Sequence, residues 1–167
     1  SRSSCRRCCS APRCGWISPA CPGARSWPST CRRCCSPAAS ICGSDASPAL
    51  AWQGVPAGTA ALVLFVDDPD GRDWVHWIVL DLPGVDGGLP RAVSPSADKP
   101  RQGRNDFGRI GYGGPCPPSG NHHYRFTLYA LAAPLGLPGQ PDGAAVRAAL
   151  GRATVLAKVT LVGTYRA

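Results

Sequence analysis

The chain has 167 residues, within the range of one ordinary domain and long enough to bury a core without metal or disulfide staples. Gly contributes 20 residues, Pro 18 and Cys 10, every acid is Asp and no Met occurs, a turn-rich composition that points to strands and loops and away from a helical bundle. Residues 1–40 hold seven arginines and no acid and so carry nearly all of the formal charge of +8, while eleven Lys or Arg against ten Asp leave 41–167 near neutral, without the basic face that nucleic-acid binding needs.

The first 40 residues also carry eight of the ten cysteines. Ser4-Cys5-Arg6-Arg7-Cys8-Cys9-Ser10 returns 26 residues later as Thr30-Cys31-Arg32-Arg33-Cys34-Cys35-Ser36. Two C-x-x-C pairs could place four thiolates around one zinc, and dense cysteine also suits a disulfide-stapled secreted module. Against both, this head lacks apolar periodicity, zinc-knuckle context and the apolar run of a secretory leader. Cys, Arg, Ser, Pro, Ala and Gly are what GC-rich DNA yields when read out of frame, and the composition favours that reading, with poor order. The head (1–40) is therefore set apart from a domain at 41–167. With no leader and no stretch of about 20 apolar residues, the chain is expected to be cytoplasmic and without a transmembrane segment.

Within the domain, the apolar run at 60–66, bounded by Gly58 and by Asp67-Asp68-Pro69, predicts a buried strand. The next run, 74–82, is apolar on both parities and predicts a central strand covered on both faces, with His76 on the side of Trp74 and Ile78. From 83 to 121 Gly, Pro, Ser and charge dominate, a long irregular segment of the kind that is functional or disordered. A third strand is expected at 124–131 and a fourth at 154–165. One helix lies between them: Asp142 as N-cap, Val146, Ala149 and Leu150 as an apolar stripe, Gly151 closing it. These elements amount to a mainly β fold, an antiparallel β-sandwich with one or two short helices and long loops.

Polar groups concentrate in two places. Asp67-Asp68-Pro69-Asp70-Gly71 precedes Trp74-Val75-His76, and Gly111-Tyr112-Gly113-Gly114-Pro115-Cys116-Pro117-Pro118 leads through Asn121 and His122-His123 into Tyr124. Taken alone, a His in an apolar strand is ordinarily a satisfied core group and Asp-Pro-Asp ordinarily a turn. Two His with two Asp could also hold zinc or iron.

Together these motifs, with Asn105-Asp106-Phe107-Gly108, Ser47-Pro48-Ala49-Leu50-Ala51-Trp52 and the closing Leu161-Val162-Gly163-Thr164-Tyr165, resemble the phosphatidylethanolamine-binding (PEBP) family, in its bacterial Raf kinase inhibitor-like (YbhB/YbcL-type) branch. The resemblance covers about 120 residues in order. It implies a pocket lined by Asp68, Asp70, His76, Gly114, Pro115, His122 and Tyr124 that takes phosphate, phosphoethanolamine or similar anions, with no metal and no cofactor. Backbone N–H groups of the Gly-Gly-Pro turn are expected to form an anion nest, completed by imidazole and phenol donors. A binding and regulatory role is thus expected, not an enzyme; the rivals are a phosphoester hydrolase with His76 or His122 as general base, and a protease or kinase inhibitor. A homodimer is conceivable. The resemblance further implies that strands preceding Cys42 normally cover the sandwich, so that the head in their place predicts lower stability and association through an open sheet edge.

Overall fold

The computed structural model describes residues 42–96 and 100–167. The readings of the head, whether zinc knuckle, disulfide module or out-of-frame segment, lie outside the described residues. Seven strands and one helix follow one another as β1 (Leu50–Trp52), β2 (Ala61–Asp68), β3 (Trp74–Pro83), β4 (Gly87–Leu89), β5 (Arg101–Gln102), β6 (Asn121–Leu131), α1 (Gly143–Leu150) and β7 (Val155–Arg166). Every pairing between these strands is antiparallel. The main sheet has the order β5-β3-β2-β6-β7, and β1 pairs with β4 in a small second sheet. This is the expected β-sandwich with a single helix.

The apolar run of β2 puts it at the middle of the main sheet, where all eight residues are buried. On one face Leu64, Val66, Trp77, Val79, Phe126 and Leu128 pack against Leu50, Trp52 and Leu89 of the small sheet. On the other, Val63, Phe65, Val75, Ile78 and Leu80 pack against Val146 of α1. The helix starts as expected, with the Asp142 carboxylate accepting from the Ala145 N–H at 2.8 Å, which satisfies one of the donors a helix start leaves open. Gly143 is required there, because a Cβ would fall 2.5 Å from Cγ2 of Val75.

Strand β3 departs from simple alternation at two places. Val66 pairs with Trp77 and Asp67 with Val75, so His76 is an extra residue opposite the β2 ladder, a β-bulge. Alternation therefore breaks at His76. The expectation that His76 shares a side with Ile78 is wrong: Ile78 faces α1, while the His76 ring meets Tyr124 on the opposite face at a centroid distance of 5.0 Å. The shared side with Trp74 holds, since both rings contact Phe107. The second irregularity lies between Leu62 and Leu64, and Asp81 there adopts a φ of 54°.

The irregular segment 83–121 contains two short strands that its composition concealed, β4 and β5. At its centre the buried Gln102 side chain accepts from the Trp77 indole N–H at 2.8 Å and donates to the Ser94 carbonyl at 2.8 Å, anchoring the loop to the core. Strand β7 is one of the two outer strands of the main sheet, and Val159 and Val162 on it are more than half exposed, at 53% and 51%.

Replacing Gln102 by Leu should leave the Trp77 N–H buried without an acceptor. We expect a loss of roughly 1–3 kcal/mol, measured as a lower denaturant midpoint at unchanged slope.

Candidate functional site

The bulge at His76 positions the site. The strand bends there, and His76 grips Gly113 twice: its main-chain carbonyl accepts from the Gly113 N–H at 2.8 Å, and its Nδ1 lies 2.8 Å from the Gly113 carbonyl. A carbonyl oxygen only accepts, so Nδ1 carries the proton and Nε2 is the free nitrogen. Burial holds His76 below the ordinary imidazole range, so the ring is neutral at neutral pH.

Asp68 ends β2 and His122 begins β6, two adjacent strands. The His122 Nδ1 donates to the Asp68 carboxylate at 2.6 Å, both side chains being largely buried, and again leaves Nε2 free. Tyr124, two residues along β6 and on the same face, is buried with its ring edge-on to His76. Its hydroxyl is near the Asp68 carboxylate and the Cys116 main chain but meets neither in hydrogen-bond geometry, and it is the one buried side-chain polar atom among the described residues left without a partner. Burial, then the Asp68 charge, push its ionisation well above the ordinary phenol range, so it remains a donor.

The wall opposite is the loop 105–116, held by side chains that sequence reading left out of the site. Asn105 donates to the Gly111 carbonyl at 2.9 Å and accepts from the N–H groups of Phe107 and Arg109. Asp106 accepts from the Val75 N–H at 2.7 Å. Phe107 lies against Trp74 and His76, so close to Gly113 that a Cβ on Gly113 would come within 2.5 Å of its ring. Asp45 accepts from the Gly114 N–H at 2.9 Å and pairs with Arg109 at 3.0 Å; the first bond, then Arg109, hold its carboxyl below the usual range. A disulfide joins Cys42 to Cys116, and the Gly43 N–H donates to the Pro115 carbonyl at 2.6 Å. The presence of just two cysteines outside the head was the available signal for that bond.

The structure brings Asp68, His76, His122 and Tyr124 together, with Gly114 and Pro115 in the wall. Asp70 is placed differently. Its carboxylate accepts from both the main-chain N–H and the Nδ1 of His123, at 2.7 and 2.8 Å, and this pair, half exposed, holds its carboxyl below the usual range. The anion nest of the Gly-Gly-Pro turn does not form: the Gly113 N–H is taken by His76, the Gly114 N–H by Asp45, and Pro115 has none. Among the described residues no three His, Cys, Asp or Glu side chains assemble into a metal-holding group.

Residues 28–166 match the profile of the family described as phosphatidylethanolamine-binding protein. The chain belongs to that family. A UPF0098 protein of Methanothermobacter thermautotrophicus is 42% identical over 130 residues, covering 74% of this chain and 85% of that relative. The crystal structure of Escherichia coli YbcL, described as a new member of the mammalian PEBP family, superposes with a TM-score of 0.66 at 36% identity, covering 74% of this chain and 81% of YbcL. Family membership supports ligand binding in general. A Mycobacterium tuberculosis relative, LppC, is 42% identical over 130 residues, covering 75% of this chain and 63% of that relative, and its name describes it as a candidate lipoprotein. That finding overturns the expectation of a cytoplasmic protein, which rested on the lack of a leader-like run. No helix among the described residues is long and apolar enough to cross a membrane.

Two outcomes are expected from this geometry. The Cys42–Cys116 bond closes a loop of 74 residues, so replacing both cysteines by Ser should cost roughly 2–4 kcal/mol, checked by denaturation with and without a dithiol reductant. His76 is depressed in the folded state, so the unfolded chain binds its proton more readily. Stability from this group is complete above the unfolded value of 6.5 and declines as pH falls below it towards the folded value. His76→Gln should flatten that part of the stability profile between pH 7 and 5.

Proposed function

We propose that the pocket of Asp68, His76, His122 and Tyr124 binds a phosphate-type anion bearing its own proton donor, as in a phosphomonoester monoanion or a phosphoethanolamine head group. On this reading the protein binds and regulates and is not an enzyme. The unpartnered Tyr124 hydroxyl carries the reading. A buried hydroxyl without a partner costs about 1–3 kcal/mol, and a ligand oxygen beside it removes that penalty.

The imidazole of His76 decides which anion. His76 has committed Nδ1–H to the Gly113 carbonyl, so its ring, kept neutral by burial, offers Nε2 as an acceptor. A bare dianion would meet a lone pair there. A ligand with a P–OH or an ammonium N–H supplies the missing proton, while the Tyr124 hydroxyl donates to one of its unprotonated oxygens. Asp68 adds negative charge at the same end of the pocket, which suits an ammonium and opposes a second anionic oxygen.

Titration of the full chain with phosphoethanolamine, inorganic phosphate and sulfate, followed by amide NMR, tests this reading. Phosphoethanolamine and phosphate should bind in the micromolar to millimolar range and sulfate, which carries no proton near neutrality, more weakly. Phosphate affinity should fall as pH rises past the second phosphate ionisation. Tyr124→Phe should weaken binding about tenfold, and His76→Ala or His122→Ala should abolish it. Sulfate binding as tightly as phosphate, or undiminished affinity in Tyr124→Phe, would defeat the assignment. Release of phosphate from a phosphomonoester, lost in His122→Ala, would favour the hydrolase instead.

A further inference from the structure

The neighbouring aspartates Asp67 and Asp68 point to opposite faces of the main sheet, as consecutive strand residues do. Asp68 serves the pocket just described. Asp67 faces α1 and meets Arg125 through Nε at 2.9 Å and Nη2 at 2.7 Å, and Arg147 through Nη2 at 3.2 Å. Because α1 is only eight residues long, it covers part of this face. Between it and β6 and β7 the surface sinks into a cleft of about 540 Å³, which continues into a hollow of about 330 Å³ above Phe65 and Asp67. Both volumes lie in the range of small-molecule sites, roughly 300–1,000 Å³.

Four side chains line both parts: Tyr129, Arg147, Leu150 and Lys158. Val155 and Ala157 extend the apolar surface along β7. The Arg147 guanidinium is fixed, stacked 4.9 Å above the Phe65 ring and donating to the Asp73 carbonyl at 2.6 Å. Asp67 is already shared by two arginines, and Lys158 takes part in none of the ion pairs among the described residues. The unneutralised charge on this face is therefore positive. Burial keeps the Tyr129 phenol protonated, a donor beside those cations.

We infer that this cleft is a second binding site, separate from the phosphate-type pocket, for an organic anion: a carboxylate attached to a flat or branched apolar body. The carboxylate lies between Lys158, Arg147 and the Tyr129 hydroxyl, and the apolar body lies along Leu150, Val155 and Ala157. Nη2 of Arg147 is committed to Asp67 and the Asp73 carbonyl, so its Nη1 hydrogens donate to one carboxylate oxygen while the Lys158 ammonium takes the other. The apolar floor excludes inorganic phosphate as the preferred occupant, since it gives phosphate nothing to replace the water it would lose.

The probe is phenylacetate, titrated into the full chain with amide NMR readout, with phenylacetamide as the uncharged control and saturating inorganic phosphate as competitor. Shifts should cluster at Tyr129, Gly151 and Lys158, persist in phosphate, be weak or absent with phenylacetamide, and show about fivefold lower affinity in Lys158→Gln. Lys158 is exposed on an outer strand, so that variant should fold normally. Shifts confined to His76 and His122 and removed by phosphate would overturn the inference. So would equal binding of phenylacetamide, an unchanged affinity in Lys158→Gln, or no shift at tens of millimolar probe.

Discussion

The bulge at His76 is the constraint on which the site depends. One extra residue in β3 lets His76 and Trp77 both serve the face packed against the small sheet, Trp77 as core and His76 as pocket. It also frees the His76 carbonyl from the β2 ladder to receive the Gly113 N–H. The loop that walls the site is thus attached to the sheet by the same residue whose ring lies beside Tyr124. In a regular strand His76 would have faced α1 and the loop would have lost its anchor.

Around that anchor the loop is braced from three sides. Asn105 closes its own segment, Asp106 fastens it to Val75, and Asp45 with the Cys42–Cys116 bond fastens it to the chain entering β1. Loops do not ordinarily hold polar side chains to within tenths of an ångström unless such secondary contacts fix them. The same bracing uses the N–H groups that a phosphate nest would need. What the loop leaves open is side chains, among them two imidazoles each tied at Nδ1.

The main sheet carries different chemistry on its two faces. Alternation sends Asp68, His122 and Tyr124 one way and Asp67, Arg125 and Tyr129 the other, so one pair of adjacent strands lines both the pocket of Asp68 and His122 and a cationic cleft. The short α1 leaves the second open.

Much of this was legible in the residues themselves. The apolar runs at 60–66 and 74–82, the alternation in the last strand and the capped helix after Asp142 determined the strands, the helix and the mainly β class, because burial and local hydrogen bonding act over a few neighbouring residues. The motifs around Asp68, His76, His122 and Tyr124 determined the family. Strands of two or three residues, as in β4 and β5, are too short to show a period, and a bulge leaves no mark in an unbroken apolar run, so the facing of His76 came only with the fold. Tertiary structure alone decided that Asp70 turns to His123, that Gly113 and Gly114 have no free N–H, and that Asp67 gathers two arginines beneath an open cleft. Each of these depends on which hydrogen-bond partner lies nearest in space, and those partners stand between 37 and 80 positions apart in the chain.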